Sequence, residues 1–215
     1  MKKLAIIWSA LFLVCFKSTD ICAQNLIQNG SFELPGTTGN AGNGRERISA
    51  GSTELTGWIV SGMGDVFVLQ TPFDGGPVYN PAQDGRYYLD LSGDGPPHAT
   101  IYQDFSTTPG SQYSLKFYIG SAATATLPTI SVQLNDIGTL LSTTLTPLAA
   151  TSSLNWLEES FSFIPDSATT RLSFVDTSGS DDNASFVDNV SVTVVPEPIM
   201  MIPMGLIILA FRRRR

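Results

Sequence analysis

The chain has 215 residues, with 19 acidic against 12 basic side chains and a formal net charge of −7 at pH 7. So acidic a surface repels phosphate backbones, which excludes nucleic acid as a partner and leaves cations and neutral polymers. The chain has one histidine, which excludes a zinc site built on paired histidines.

The first 23 residues predict a signal peptide. Lys2 and Lys3 precede an apolar run over residues 4–16, and this order of charge and apolar length is typical of a secretory signal. The small residue Ala23 closes the polar stretch that follows, so we place cleavage before Gln24. Cleavage there removes both cysteines, which leaves the exported domain without a disulfide, a thiol nucleophile or a Cys-ligated zinc.

The last residues predict a membrane-anchoring tail. An apolar run over residues 199–211 is followed directly by Arg212, Arg213, Arg214 and Arg215, and such a basic cluster marks a cytoplasmic stop. As a helix the run is roughly 20 Å long, against a hydrocarbon core of about 30 Å. Snorkelling arginines and local thinning of the bilayer could offset part of this deficit. A buried C-terminal helix is the alternative, but the four terminal arginines argue against it.

Pro196, Glu197 and Pro198 stand just before the apolar run. Together with that run and the terminal arginines they resemble the PEP-CTERM sorting signal of Gram-negative bacteria. The resemblance covers residues 196–215 and departs from the family pattern in its short apolar run. It implies an exosortase as partner, transient anchoring in the membrane, removal of the tail, and a final location at the cell envelope or outside the cell.

Residues 24–195 predict a single all-β domain, flanked by the signal peptide and the apolar tail helix. Short apolar runs alternate with polar residues between Gly-, Pro- and Asp-bearing turns, and a period of two places each apolar set on one face of a strand. The clearest sets are Tyr87, Leu89, Leu91; Ile101, Gln103, Phe105; Leu115, Phe117, Ile119; and Ile130, Val132, Leu134. About ten such strands predict two antiparallel sheets in a jelly-roll β-sandwich, with a closed barrel as the alternative. Residues 35–57 and 71–85 are expected to be long surface loops.

Three motifs occur in order along this domain: NLIQNGSFE at residues 25–33, Gly57-Trp58, and FVDNVSV at residues 186–192. The stretch GSQYSLKF at residues 110–117 fits the same scheme. This order resembles the galactose-binding-like β-sandwich superfamily, close to carbohydrate-binding modules and to a related family of uncharacterised cell-wall proteins. The resemblance spans nearly the whole domain and implies the sandwich fold and glycan binding.

The residues give little support for catalysis. His98 is a lone histidine in a loop, and no serine has the GxSxG surroundings of a hydrolase nucleophile. Glycoside hydrolysis needs two carboxylates facing one cleft, whereas the adjacent Glu158 and Glu159 would point to opposite faces of a strand. A pair such as Asp90 with Asp104 stays open. We therefore assign no catalytic residue and keep a glycoside hydrolase as an alternative.

Sugar recognition is predicted on the strand faces opposite the apolar sets. Aromatic rings flanked by carboxylate and amide groups are typical of such sites, and the candidate ligand-binding residues are Tyr88, Asp90, Tyr102, Asp104, Tyr118 and Gln133. Tyrosine is also common in strands for packing alone. Trp58 and Trp156 are expected to pack in the core or at a sheet edge. The predicted function is non-catalytic binding of glycan or extracellular polysaccharide, with a structural protein of the matrix or envelope as the alternative.

A structural calcium ion is predicted at the closing strand, as the one cofactor. Asp188 alternates there with apolar residues, namely Phe186, Val190, Val192 and Val194. A carboxylate on an apolar face is costly unless it is paired or bound to a cation, and the domain has five basic residues. The resemblance implies Glu33 and Asp188 as metal ligands, completed by backbone carbonyls. A hydrogen bond from a backbone N–H or a hydroxyl to Asp188 is the alternative.

Overall fold

A computed structural model of the protein describes residues 24–36, 39–71, 80–179 and 184–197. The predicted signal peptide, the apolar tail and the terminal arginines lie outside these residues. Pro196 and Glu197 follow the last strand and are exposed. Within the described ranges, no helix is long and apolar enough to cross a membrane.

Eleven strands in this part of the chain form two antiparallel sheets. The six-stranded sheet has the spatial order β1 (Arg45–Ser49), β3 (Asp65–Gln70), β4 (Tyr87–Asp90), β11 (Ser185–Val194), β6 (Tyr113–Ser121) and β9 (Leu157–Phe163). The five-stranded sheet has the order β2 (Ile59–Gly62), β5 (Ala99–Ser106), β10 (Thr169–Asp176), β7 (Ile130–Asn135) and β8 (Thr139–Leu145). The predicted two-sheet β-sandwich is confirmed.

The main core fills the space between the two sheets. The alternating sets of β5, β6 and β7 all point inward, as predicted, and their aliphatic and aromatic members are buried. Burial of each such side chain contributes about 1.5–3 kcal/mol. Gln103 is the polar exception in β5: its side-chain amide accepts from the Gln28 N–H at 2.7 Å and donates to the Gln28 carbonyl at 3.0 Å. The buried amide thereby fixes the opening segment against the sheet.

Trp58 lies in this core, as predicted. It is 1% exposed, and its ring packs against Phe32 and Phe174 with centroid distances of 5.6 and 6.1 Å. The indole N–H donates to the Asn29 carbonyl at 3.1 Å. The tryptophan therefore links the opening segment to the core and is not a sugar platform.

The opening and closing motifs pack against each other. Val190 donates its N–H to the Gly30 carbonyl at 2.9 Å, and its own carbonyl accepts from the Asn25 side-chain amide at 3.1 Å. A Cβ on Gly30 would lie 2.0 Å from the Val190 oxygen, so this close approach requires glycine. The two motifs that carry the family resemblance thus form one contact that joins the ends of the domain.

Near this contact the closing strand departs from its expected alternation. We expected Phe186, Asp188, Val190, Val192 and Val194 on one face, but β11 has an irregularity in its pairing with β6 between residues 188 and 191. The extra residue reverses the alternation, because side chains in a strand have a period of two. Val190 and Val192 lie in the main core, whereas Phe186 lies on the outer side of the sheet.

A second hydrophobic cluster covers the outer side of the six-stranded sheet. Strand residues Phe67, Leu69, Tyr88 and Phe186 form it together with Leu154 from the loop before β9. Trp156 packs on this cluster, and its indole N–H donates to the Pro81 carbonyl at 3.0 Å. Loops therefore shield the part of this outer face around Tyr88 and Phe186.

The expected surface loop over residues 35–57 was partly wrong. It contains β1, which pairs with β3 over its full length, and it buries Ile48 and Leu55. Hydrogen bonding to a buried neighbour turns a polar sequence into a strand. Of the second expected loop, residues 72–79 lie outside the described part of the chain.

Candidate functional site: the open face of the five-stranded sheet

The outer side of the five-stranded sheet is polar, and we call it the open face. The strand registers place one residue from each strand in a row across it, in the order Ile59, Tyr102, Ser173, Gln133 and Ser142. A second row contains Asp104, Arg171 and Asn135. These side chains are half-buried or exposed. The open face therefore presents hydroxyl, amide, carboxylate and guanidinium groups to solvent.

Arg171 is the centre of the polar groups on the open face. Its Nε donates to Asp104 Oδ1 at 2.6 Å and its Nη2 donates to Asp104 Oδ2 at 2.7 Å. Its guanidinium carbon also lies 3.9 Å from the centroid of the Tyr102 ring. The hydrogen bonds from Arg171 lower the pKa of Asp104, so this carboxylate is charged at neutral pH. Three side chains are thereby held in a fixed arrangement on two neighbouring strands.

A depression of about 540 Å³ adjoins this group at the end of the sheet. Its lining includes Asp104, Asn135, Asp136, Ile137, Thr169 and Arg171. Asp136 accepts from the backbone N–H of Gly138 at 3.0 Å and of Asp166 at 2.7 Å. These two bonds lower the pKa of Asp136, so the carboxylate is an acceptor at neutral pH.

Three of the predicted ligand-binding residues share the open face: Tyr102, Asp104 and Gln133. Tyr118 belongs to the other sheet, where its hydroxyl donates to Glu158 at 2.5 Å. Lys116 lies 3.6 Å from the same carboxylate. The structure therefore splits the predicted set between the two sides of the sandwich.

Tyr88 and Asp90 need a correction. Tyr88 does lie opposite the main core, but it is fully buried in the second cluster, edge-on to Trp156 and Phe186 with centroid distances of 5.8 and 5.1 Å. Burial also raises the pKa of its hydroxyl far above the ordinary value. Asp90 is 8% exposed and accepts from the Ser92 N–H and hydroxyl at 2.9 and 2.6 Å. Neither residue is accessible to a glycan, because loops cover this part of the face.

Arg171 and Asp136 were missed by the sequence analysis. Arg171 is one of only five basic residues in the domain and occupies an outward position in the alternation of β10. The scarcity of basic residues could have marked Arg171 as a candidate from the sequence alone. Its pairing with Asp104 depends on the register between β5 and β10, which are far apart in sequence.

Glu33 and Asp188 hold the same short segment by backbone hydrogen bonds. Asp188 Oδ2 accepts from the N–H groups of Gln83 and Asp84 at 2.8 and 3.0 Å, and its Oδ1 accepts from Asn189 at 2.7 Å. Glu33 Oε1 accepts from the N–H groups of residues 86 and 87, both at 2.8 Å. Backbone N–H groups thus donate hydrogen bonds to the carboxyl group of Asp188. Such hydrogen bonding was the stated alternative to calcium. A cation that uses these oxygens would have to compete with amide donors.

The predicted calcium ion stays a prediction. Among the residues that the structure describes, no group of three or more His, Cys, Asp or Glu side chains is placed to hold a metal ion. Asp188 is completely buried, and this burial raises its pKa to about 8. The three amide hydrogen bonds act in the opposite direction but compensate only in part.

The carboxylate pair that the sequence left open for hydrolysis is separated. Asp90 belongs to the outer side of the six-stranded sheet and Asp104 to the outer side of the five-stranded sheet. They therefore cannot flank one glycosidic bond. His98 lies between two carbonyl oxygens, those of Ser92 and Ser178, each 3.1 Å from a ring nitrogen.

Solved structures identify the class of fold. The structure of TmCBM61 in complex with β-1,4-galactotriose is similar with a TM-score of 0.50 and 13% identity, over 80% of this chain and 100% of that one. A CBM4 structure has a TM-score of 0.46 and 19% identity, over 79% of this chain and 99% of that one. The domain is an antiparallel β-sandwich like those of carbohydrate-binding modules. At these identities the likeness shows the fold alone.

The sequence identifies the family. Residues 25–193 match the family described as protein of unknown function (DUF642), and the chain belongs to it. Halomucin of Haloquadratum walsbyi (strain DSM 16790 / HBSQ001) is 32% identical over 178 residues, which is 81% of this chain. The chain spans about 2% of the length of that relative.

Proposed function

We propose that the protein is a non-catalytic module that binds a neutral glycan on its open face. The observation that carries the proposal is the fixed group of Tyr102, Asp104 and Arg171 beside a depression of about 540 Å³. Ligand pockets in proteins typically have volumes of about 300–1,000 Å³. The likeness of the fold to carbohydrate-binding modules supports the proposal.

The chemistry of the face suits sugar hydroxyl groups, which both donate and accept hydrogen bonds. Asp136 and Asn135 supply acceptors at the depression, and the amides of Asn135 and Gln133 supply donors. Arg171 covers one face of the Tyr102 ring. A sugar would therefore meet the guanidinium and the ring together, in a position that the Asp104 carboxylate fixes.

The charge of the face favours a neutral glycan over a uronate or sulfated polymer. Asp104 and Asp136 both line the depression, and the positive charge of Arg171 is already balanced by its ion pair with Asp104. The remaining negative charge repels anionic polysaccharide over a distance of about 8–10 Å at physiological salt.

The proposal is tested by calorimetric titration of the protein with a panel of neutral and anionic oligosaccharides that includes β-1,4-galactotriose. We expect binding to a neutral member and a loss of at least tenfold in affinity in Arg171→Ala and Tyr102→Ala. Tyr118→Ala, an equivalent change on the opposite face, should bind like the wild type. Absence of binding across the panel, or equal loss in all three variants, would overturn the proposal.

We further propose that the protein is exported and sorted by its C-terminal signal, through an exosortase and a transient membrane stage, to the cell envelope or beyond. The support is the sequence at the two ends of the chain, namely residues 1–23 and 196–215. The intact mass of the secreted protein tests both cleavages. Deletion of the four terminal arginines should leave the domain folded and the tail unprocessed, and unchanged processing would refute the sorting signal.

A further inference from the structure

Among the residues that the structure describes, the sandwich has four edge strands, and one of them lacks protection against pairing. Strand edges expose unpaired backbone groups, which proteins usually guard with charges, prolines or short length. Three edges follow this rule: β1 carries Arg45, Glu46 and Arg47, β9 carries Glu158 and Glu159, and β2 has four residues. In contrast, β8 has seven residues, Thr-Leu-Leu-Ser-Thr-Thr-Leu, without a charge or a proline.

The free side of β8 is available within the described part of the chain. Its partner in the five-stranded sheet is β7, and β8 stands at the end of the strand order. Leu141, Thr143 and Leu145 point to the core side, opposite Leu134, Val132 and Ile130 of β7. Ser142 and Thr144 point to the open face. All five of these side chains remain partly or fully exposed at the edge.

We propose that β8 pairs antiparallel with β8 of a second copy of this chain, around a two-fold axis at Thr143. This register places Thr143 opposite the partner's Thr143 and Leu141 opposite the partner's Leu145 on the core side. On the open face it places Ser142 opposite the partner's Thr144. Each of these three pairs is apolar with apolar or hydroxyl with hydroxyl, combinations that stabilise antiparallel sheets, and no like charges meet.

The apolar residues just beyond β8 support this partner. Ile137 precedes the strand and is 80% exposed, and Leu148 follows it and is 48% exposed. An antiparallel pair places the start of β8 in one copy beside the end of β8 in the other, so Ile137 of each copy lies at the same end of the pair as the partner's Leu148. Two large exposed apolar side chains at opposite ends of one strand are thereby brought together twice in the symmetric dimer.

The pairing has a consequence that rests on the proposed function. Residues opposite each other in an antiparallel pair point to the same side, so the two five-stranded sheets would form one ten-stranded sheet with both open faces on one side. Two glycan sites on one side can engage one polymer at once, which increases avidity without any new contact. The dimer itself does not depend on glycan binding.

The register is tested by cysteine substitution in the full chain with Cys15 and Cys22 changed to serine. Oxidation should cross-link Thr143→Cys to itself, because opposite Cβ atoms lie about 4.5–5.5 Å apart. Ser142→Cys alone should stay uncross-linked, whereas a mixture of Ser142→Cys and Thr144→Cys should give cross-linked heterodimers. Ser160→Cys on β9 is the matched edge control. Cross-linking of Ser142→Cys alone, or equal cross-linking of Ser160→Cys, would overturn the proposal.

The oligomeric state of the uncross-linked protein gives a second readout. Sedimentation equilibrium of the full chain should show a dimer that Thr143→Lys dissociates by at least tenfold in affinity, since two lysines would then face each other. Ser160→Lys should leave the dimer intact. Circular dichroism checks that each variant is folded. A wild type that stays monomeric at about 10⁻⁴ M, where a micromolar dissociation constant would give mostly dimer, would overturn the proposal.

Discussion

The two outer faces of the sandwich have similar strand patterns but differ in the solvent exposure of their tyrosines. On the six-stranded sheet, Tyr88 and Phe186 are buried below Trp156 and neighbouring loops. On the five-stranded sheet, Tyr102 stays at the surface under the guanidinium of Arg171. The difference lies in the loops: among the described residues, Pro81 and Ala82 before β4 and Leu154 and Trp156 before β9 lie against the six-stranded sheet. A tyrosine opposite the core is thus a candidate for binding only where no loop covers it.

The largest loss of folding stability is expected from Phe186→Ala on the covered face. Phe186 is 2% exposed, and removal of a buried phenylalanine costs about 3–5 kcal/mol. Urea unfolding measures this loss. Tyr102→Ala on the open face serves as the matched change and should cost about 1 kcal/mol or less. Similar losses in the two variants would show that the faces are not different in packing.

Asp188→Asn should loosen the segment that helps to cover the six-stranded sheet. The two side-chain oxygens of Asp188 accept three backbone N–H groups in a fully buried place. An asparagine leaves at least one of these donors unpaired, and a buried unpaired donor costs about 1–3 kcal/mol. Hydrogen exchange at residues 83 and 84 should become faster than in the wild type, while exchange in β5 and β10 stays unchanged.

The same residue predicts a pH dependence. Burial raises the pKa of Asp188 to about 8, whereas an unfolded aspartate has a pKa of about 3.9. Between these values the folded state binds more protons, so this contribution to stability is complete below about pH 4 and is lost as the pH rises through about 8. The stability gap between wild type and Asp188→Asn should therefore narrow from pH 5 to pH 8. A gap that widens would mean that the amide donors keep Asp188 ionised.

Arg171→Ala should change the stability of the open face only slightly. The Arg171 and Asp104 side chains are 45% and 44% exposed, and ion pairs at such a surface contribute about 0–1 kcal/mol. The melting temperature of the Arg171→Ala variant should stay near that of the wild type. A large destabilisation would show that the arginine holds the sheet together and is not reserved for a ligand.

The smallest effect concerns the predicted calcium ion. If calcium binds the folded state through Glu33 and Asp188, it should raise the melting temperature in proportion to its excess over the dissociation constant. The amide donors already bound to these carboxylates make a small shift the expected outcome. Melting curves with calcium and with a chelator, for wild type and Asp188→Ala, measure it. Identical curves for the wild type would exclude the ion.

The sequence alone predicted the sandwich and most of its core, because alternation with a period of two is a local signal. Leu115 and Phe117 of β6, for example, occupy the inner face as expected. The local pattern failed to predict side-chain orientation where contacts with distant parts of the chain determine it. The irregularity in β11 moves Asp188 and Val190 to opposite sides of the sheet, and Val190 there bonds to Gly30, which is distant in the sequence.

The candidate site was predicted only in part for the same reason. Tyr102, Asp104 and Gln133 were assigned from alternation and do share one face. Tyr88 fits the same pattern, but its cover comes from Trp156, which is 68 positions away in the sequence. Arg171 was not assigned, because its partner Asp104 is fixed by strand register and not by spacing along the chain.

The central claim is that glycan binds on the open face and not on the covered one. Its most direct test is NMR titration of the ¹⁵N-labelled protein with the oligosaccharide of the panel that binds most tightly. We expect shifts of backbone signals around Tyr102, Gln133, Asn135 and Arg171, and none in the cluster around Tyr88 and Trp156. Shifts confined to the loops over the six-stranded sheet would contradict it.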